Sequence, residues 1–172
     1  MIAHRRFMMG FFIFFLLLMK ILMICLGNIC RSPLAEGILR QKAAEYGLDL
    51  EIDSAGFEYC NVGMSPDSRA VAVGRKYGVD ITGIRSRLFK YADFQYFDRI
   101  YIMDKNNYND VMSMAKTDED RAKVDYILNE VYPGENRYVK DPYYGGADGF
   151  ETVFEQLDEA CDAICRKMNN NQ

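Results

Sequence analysis

The sequence predicts a single α/β domain: a four-stranded parallel sheet flanked by helices on both faces, with an anion-binding loop between the first strand and the first helix. Three observations predict it. Short apolar runs of strand length alternate with segments of helical spacing, the pattern of βαβ units. The runs at residues 21–24 and 100–103 are continuously apolar, as strands covered on both faces require. At 172 residues the chain suffices for one well-cored domain and is short for two.

Each element has its own signal. Residues 21–24 form the first strand, and Ser32-Pro33 reads as a helix N-cap followed by proline at the first helical position. That helix runs to Tyr46, where Gly47 supplies a left-handed stop. Leu50-Glu51-Ile52 alternates as a second strand. Ser65-Pro66 repeats the cap-and-proline start ahead of Ala70, Val71, Val73 and Tyr77, and residues 94–97 read as the end of a short helix. The third strand, residues 99–103, delivers Asp104 to the carboxyl edge of the sheet, where ligands of open parallel sheets gather. Helices near 107–115 and 119–123 lead to a fourth strand over 124–128. A loop at 138–149 precedes an amphipathic helix over 150–168, whose Phe150, Val153, Phe154, Leu157, Cys161 and Ile164 recur at three- and four-residue steps.

Composition excludes several classes of function. A net charge of −4 with no basic run argues against nonspecific nucleic-acid binding. The single histidine, His4, lies ahead of the domain, so catalysis by a positioned imidazole and histidine-ligated zinc are not available to the fold. Five cysteines without a regular framework suit a reducing compartment, and a cytoplasmic location is expected. Residues 1–18 form a leader in which His4-Arg5-Arg6 precedes an apolar run. A helix of that run would span only about 20 Å against about 30 Å of hydrocarbon, so membrane insertion would consume the first strand. A membrane role is therefore not expected, and Met19 reads as a natural start of the domain at 19–172, which makes the leader a non-native start or, as the alternative, a signal-like, membrane-associating extension.

The chemistry concentrates in Cys25-Leu26-Gly27-Asn28-Ile29-Cys30-Arg31-Ser32. A loop closing onto a helix N-terminus gathers backbone N–H groups and the positive end of the helix dipole into one space fit for a phosphate-sized anion. Gly27 and Asn28 tolerate the left-handed backbone such a nest needs, and Arg31 offers a planar fork to two oxygens. Cys25 stands at its mouth. There the thiolate is favoured over the thiol, with the Ser32 hydroxyl able to donate to it, and the thiolate is the nucleophile. Singly, a cysteine after an apolar run is a small hydrophobe and Gly-Asn is a turn. In this order, between strand and helix, they point to a cysteine attacking a bound phosphate ester.

Residues 25–33 resemble the signature loop of the low-molecular-weight protein tyrosine phosphatases, and the resemblance extends from Met19 to Met168. It recurs in Asp53-Ser54-Ala55-Gly56, in residues 62–69, which include Asp67 and Arg69, in residues 98–104, and in Asp141-Pro142-Tyr143-Tyr144-Gly145. The resemblance implies hydrolysis of phosphotyrosine monoesters without cofactor or metal, through a phosphocysteine on Cys25, with Arg31 binding phosphate and Asp141 as general acid. It implies tyrosine-phosphorylated proteins as substrates, a cognate tyrosine kinase as a further partner, and inorganic phosphate or vanadate as ligands of the loop.

It further implies that Ser54 supports Asn28, that Asp67 and Asp104 buttress the loop, and that Tyr143 and Tyr144 line the cleft. Where relatives carry a bulky aromatic wall, often Trp, this chain has Tyr59 and Cys60, and the expectation is that Tyr59, offset by one, takes that place or that Cys60 leaves the wall thinner. Where many relatives carry a histidine that braces the loop, Ile84 stands, so the loop is expected to be held differently or more loosely. An arsenate reductase on the same fold would need further cysteines, and none lies between Cys60 and Cys161. A protein-arginine phosphatase is the nearer alternative; that subgroup tends to carry Thr where Ile29 stands.

Overall fold

In the computed structural model, which describes residues 18–144 and 146–170, with the side chains of 144 and 146–148 left aside, four parallel strands lie in the order β2-β1-β3-β4. They are β1 (Met19–Ile24), β2 (Leu50–Ala55), β3 (Arg99–Ile102) and β4 (Val124–Tyr126). The helices are α1 (Arg31–Tyr46), α2 (Ser68–Lys76), α3 (Tyr91–Tyr96), α4 (Lys105–Met114), α5 (Asp118–Ala122) and α6 (Gly146–Asn169), with 3₁₀ turns at Tyr59–Asn61, Ile127–Glu130 and Pro142–Tyr144. The expected leader, residues 1–18, lies outside the described residues except for Leu18. No helix among the described residues is long and apolar enough to cross a membrane.

The continuous apolar run of β1 is explained by two cores. Ile21 and Met23 join α1, α2 and α6 on one face, while Leu22 and Ile24 join Phe94 of α3 and Val111 of α4 on the other. All four side chains are fully buried. Each such aliphatic burial contributes about 1.5–3 kcal/mol, so a polar residue in β1 would destabilise either layer.

Register brings the site together. Ile24 pairs with Ala55 of β2 and with Ile102 of β3, so the three strands end level and place Cys25, Gly56 and Asp104 at one edge. The chain leaves β1 toward β2 on one side and returns to β3 on the other, which makes this edge a topological switch point.

Several element boundaries differ from expectation, among them that of α6, which opens at Gly146 and not at Phe150. Helix α1 opens at Arg31 with Cys30 as N-cap, not at Pro33 with Ser32 as cap. Pro33 is still tolerated, because N–H groups in the first turn have no intrahelical partner. Helix α2 opens at Ser68 with Asp67 as its cap, its carboxylate accepting from the Arg69 N–H at 2.9 Å. Strand β4 stops at Tyr126; buried Ile127 and Leu128 extend its apolar run in sequence but lie in a 3₁₀ turn. Gly47 closes α1 in the left-handed conformation as expected, at φ 67°.

Candidate active site

The loop from Cys25 to Cys30 turns its carbonyls outward. Leu26 O accepts from the N–H groups of Phe57 (2.7 Å) and Glu58 (3.2 Å), and Ile29 O from that of Asp67 (2.8 Å). Gly27 O accepts from Asn61 Nδ2 at 3.3 Å and Ser86 Oγ at 3.2 Å. A peptide whose carbonyl points out directs its N–H inward. Among the described residues, the N–H groups of residues 26–30 find no protein acceptor. Those of Gly27, Asn28 and Cys30 stand opposite the outward carbonyls, just ahead of the N-terminus of α1, and suit the anion cradle expected from sequence.

Two residues make the curl possible, for different reasons. Asn28 takes the left-handed conformation at φ 51°, whereas Gly27 does not. Gly27 leaves room instead, since a Cβ there would lie 2.7 Å from Asn61 Nδ2 and 2.9 Å from Glu58 Oε2, side-chain ends that would have to move aside. Gly56 is more constrained. A Cβ on it would sit 2.6 Å from Leu26 O and 2.9 Å from Asn28 N, both backbone atoms of the loop.

Asn28, fully buried, organises the underside. Its Oδ1 accepts from Arg87 N at 2.9 Å, which fixes the amide orientation. Its Nδ2 donates to Ser32 Oγ (2.9 Å) and Ser54 Oγ (2.8 Å). Ser54 Oγ donates onward to Glu36, whose second oxygen pairs with Arg40 at 2.6 Å. Because Ser32 Oγ already accepts from Asn28, its own proton is free for Cys25 Sγ, 3.0 Å away. The chain therefore runs with one polarity, from the Asn28 amide outward to the sulfur and to Glu36. Burial pushes the Glu36 carboxyl up, against the lowering effect of the Ser54 hydrogen bond. Ile84 packs on the core, and Arg87 N and Ser54 satisfy Asn28 without it. Asn28 is thus bonded through both its oxygen and its nitrogen, and of the two expected outcomes the loop is held differently, through Arg87, Ser32 and Ser54.

Arg31 is 2 % exposed. Its Nη1 donates to Asp104 Oδ2 at 2.6 Å and to Val139 O at 3.0 Å, and its Nη2 donates to Asp141 Oδ2 at 2.9 Å. That uses three of five N–H groups. Nε and the remaining Nη2 proton form the free edge of the fork, suited to two oxygens of one oxyanion. Burial works against the guanidinium charge, but Cys25, Asp104 and Asp141 around it raise its pKa further. Burial, with the Asp67 charge nearby, pushes the Cys30 thiol up to about 12, so it remains a thiol at neutral pH.

The cleft over this floor encloses about 280 Å³ and is lined by Cys25, Leu26, Gly27, Ile29, Cys30, Arg31, Glu58, Asn61, Asp141 and Tyr143. Asp67 and Asp104 lie behind it, the first tied to Ile29 O and the second to Arg31. Tyr59 does not form the wall. It is 82 % exposed, because its 3₁₀ turn directs Asn61 inward to Gly27 O and leaves Tyr59 outside. Glu58 and Asn61 line that side instead. Tyr143 lines the cleft as expected, and the Tyr144 side chain lies outside the described residues. Among the described residues no group of three or more His, Cys, Asp and Glu could hold a metal ion.

Sequence reading missed Glu36, Glu58, Asn61 and Arg87. Only Glu36 left a signal: a lone acid within the apolar stretch Leu34, Ala35, Gly37, Ile38, Leu39 must find buried partners.

The family model described as low molecular weight phosphotyrosine protein phosphatase matches residues 20–172. A Schizosaccharomyces pombe low molecular weight phosphotyrosine protein phosphatase is 39% identical over 141 residues, covering 80% of this chain and 89% of the relative. The crystal structure of a protein tyrosine phosphatase from Entamoeba histolytica superposes with a TM-score of 0.82 at 34% identity, covering 89% of this chain and 98% of that one. That of a Drosophila arginine phosphatase superposes at 0.80 and 32% identity, covering 87% and 98%. With a cysteine-bearing anion cradle, a buried arginine and an aspartate meeting in one cleft, and with these relatives along nearly the whole domain, the chain belongs to the low molecular weight phosphotyrosine protein phosphatase family.

Proposed function

We propose that the chain hydrolyses phosphotyrosine in proteins through a phosphocysteine on Cys25. The observation that carries this reading is that Cys25, Arg31 and Asp141 line one cleft over inward-facing N–H groups. The phosphate enters the cradle, with its oxygens on the N–H groups of residues 26–30 and on the free edge of Arg31. The Cys25 thiolate, steadied by the Ser32 hydroxyl, attacks phosphorus. The phosphorus–oxygen bond to the tyrosine breaks as Asp141 gives its proton to the departing phenolate oxygen. Water then attacks the phosphocysteine, the Asp141 carboxylate takes its proton, and the sulfur–phosphorus bond breaks to release inorganic phosphate and the thiolate. Donors aimed at the equatorial oxygens stabilise the charge of both transition states.

Ile29 supports phosphotyrosine over phosphoarginine, since it lines the cleft with an apolar side chain suited to an aromatic ring. Tyrosine-phosphorylated proteins are the proposed partners, with a tyrosine kinase as their source and vanadate or phosphate as simple ligands of the cradle. Five free cysteines suit a reducing, cytoplasmic setting. The test is hydrolysis of a phosphotyrosine and a phosphoarginine peptide by the protein, Cys25→Ser and Asp141→Asn. Turnover of phosphotyrosine, abolished by the first change and strongly slowed by the second, is expected. Preferential turnover of phosphoarginine would reassign the substrate, and vanadate binding without turnover of either would reject the enzyme reading.

A further inference from the structure

Arg69 joins the phosphate loop to the loop that carries Asp141. Its Nε and Nη2 form a fork on the two oxygens of Asp67, at 3.0 and 2.8 Å. Asp67 in turn donates its backbone N–H to Ile29 O in the cradle at 2.8 Å. The remaining arm, Nη1, donates to Tyr143 O at 3.1 Å. Tyr143 N donates back to Asp141 Oδ1 at 3.0 Å, so the carboxylate of the acid is held by the residue that Arg69 grips. The guanidinium also lies against two rings, 5.2 Å from the Tyr143 centroid and 4.8 Å from that of Phe150 in α6.

The alternative, a surface ion pair of negligible consequence, does not fit this geometry. Isolated exposed pairs contribute little, because water screens them and both side chains lose freedom. Here one planar group spans three chain segments, and Arg69 holds the Asp67 carboxyl below its ordinary value despite partial burial. A bidentate fork, a third hydrogen bond and two ring contacts from one side chain fix orientation, which an ammonium could not reproduce.

The geometry points to Arg69 as a positioning residue for the general acid: it sets the distance between Asp141 and the phosphate cradle by bracing Tyr143 against Asp67. This rests on the proposed role of Asp141. It implies a selective defect. Losing Arg69 impairs protonation of the leaving group while leaving the cradle able to bind an oxyanion.

The experiment measures kcat/KM of Arg69→Met and Arg69→Lys on aryl phosphates spanning poor to good leaving groups, in the otherwise native protein and in Asp141→Asn. For Arg69→Met, the loss should be about tenfold or more with leaving groups that need a proton and under about threefold with those that depart as stable anions. Arg69→Lys should fall between. In the Asp141→Asn background, Arg69→Met should add almost nothing, because both changes remove the same step. Vanadate affinity should hold within about threefold, which also shows that the variant is folded. An equal loss on every leaving group, a loss that persists in full in Asp141→Asn, or no loss at all would overturn the inference. If instead Asp141→Asn alone left the leaving-group series unchanged, the assignment of the acid would fail, not the role of Arg69 in bracing the loop.

Discussion

Asp104 holds Arg31 with one carboxylate oxygen and caps a helix with the other. Oδ2 lies 2.6 Å from Arg31 Nη1, while Oδ1 accepts from Asn107 N at 2.9 Å at the start of α4. The guanidinium is thereby anchored to a rigid element at the end of β3, and its opposite edge is left to the cleft.

Replacing Asp104 by Asn separates the two duties. Asn remains a good helix cap, so stability should change by about 1 kcal/mol or less. Arg31 loses its charged anchor. Removing a competing negative charge favours anion binding, whereas freeing the fork misplaces it in the transition state, and misplacement dominates kcat. The expected outcome in steady-state kinetics is a fall of about 10- to 100-fold in kcat with KM unchanged or lower. A raised KM at native kcat would show that Asp104 serves binding alone.

Asn28 combines a left-handed backbone with three hydrogen bonds. Asn28→Gly keeps the conformation and removes the bonds, so urea unfolding should report the network alone, about 1–3 kcal/mol. Asn28→Ala adds the strain of a left-handed alanine, about 1 kcal/mol more. Equal stability of the two variants would mean that backbone strain is not part of the design of the loop.

Gly56→Ala forces a backbone contact of 2.6 Å with Leu26 O, and no flexible side chain can yield there. The loop must shift. A loss of about 100-fold in kcat/KM and weakened vanadate binding are expected from misplacement on this scale. Gly47→Ala is the control: it meets nothing within 4 Å and should lose stability through its positive φ while keeping activity.

Cys30 carries a pH dependence of known sign. Its folded pKa of about 12 lies above the value near 8.5 of an unfolded cysteine. Between these values the unfolded chain releases a proton that the folded chain keeps, so the stabilisation present below about 8.5 is lost as pH rises toward 12. Cys30→Ala should flatten that alkaline decline in chemical unfolding. At neutral pH, mapping after iodoacetamide should find Cys30 unmodified.

Much of this was legible in the chain. The apolar runs marked β1 and β3 because both faces of those strands are covered, and the Cys25 to Ser32 loop reads as an anion site because its residue types suit one local geometry. Its partners were less visible. Glu58, Asn61 and Arg87 reach the loop from distant segments as ordinary polar residues, and only the folded loops around the cradle reveal the convergence. Tyr59 misled because aromatic type suggested a wall, while the turn of the 3₁₀ segment decided that Asn61 faces inward. Ser32 and Ser65 looked like caps because Ser-Pro is a common helix start; in the fold, the Ser32 hydroxyl is engaged by Cys25 and Asn28 instead.

The central claim is that Cys25 takes the phosphoryl group, and trapping tests it most directly. The protein is mixed with a phosphotyrosine peptide, quenched in acid within the first turnover, digested and mapped by mass spectrometry. A single phosphoryl group on the peptide containing Cys25, increased in Asp141→Asn where hydrolysis of the intermediate is slowed, is the result expected. Turnover with no phosphoryl group on Cys25, or with one on another residue, would contradict it.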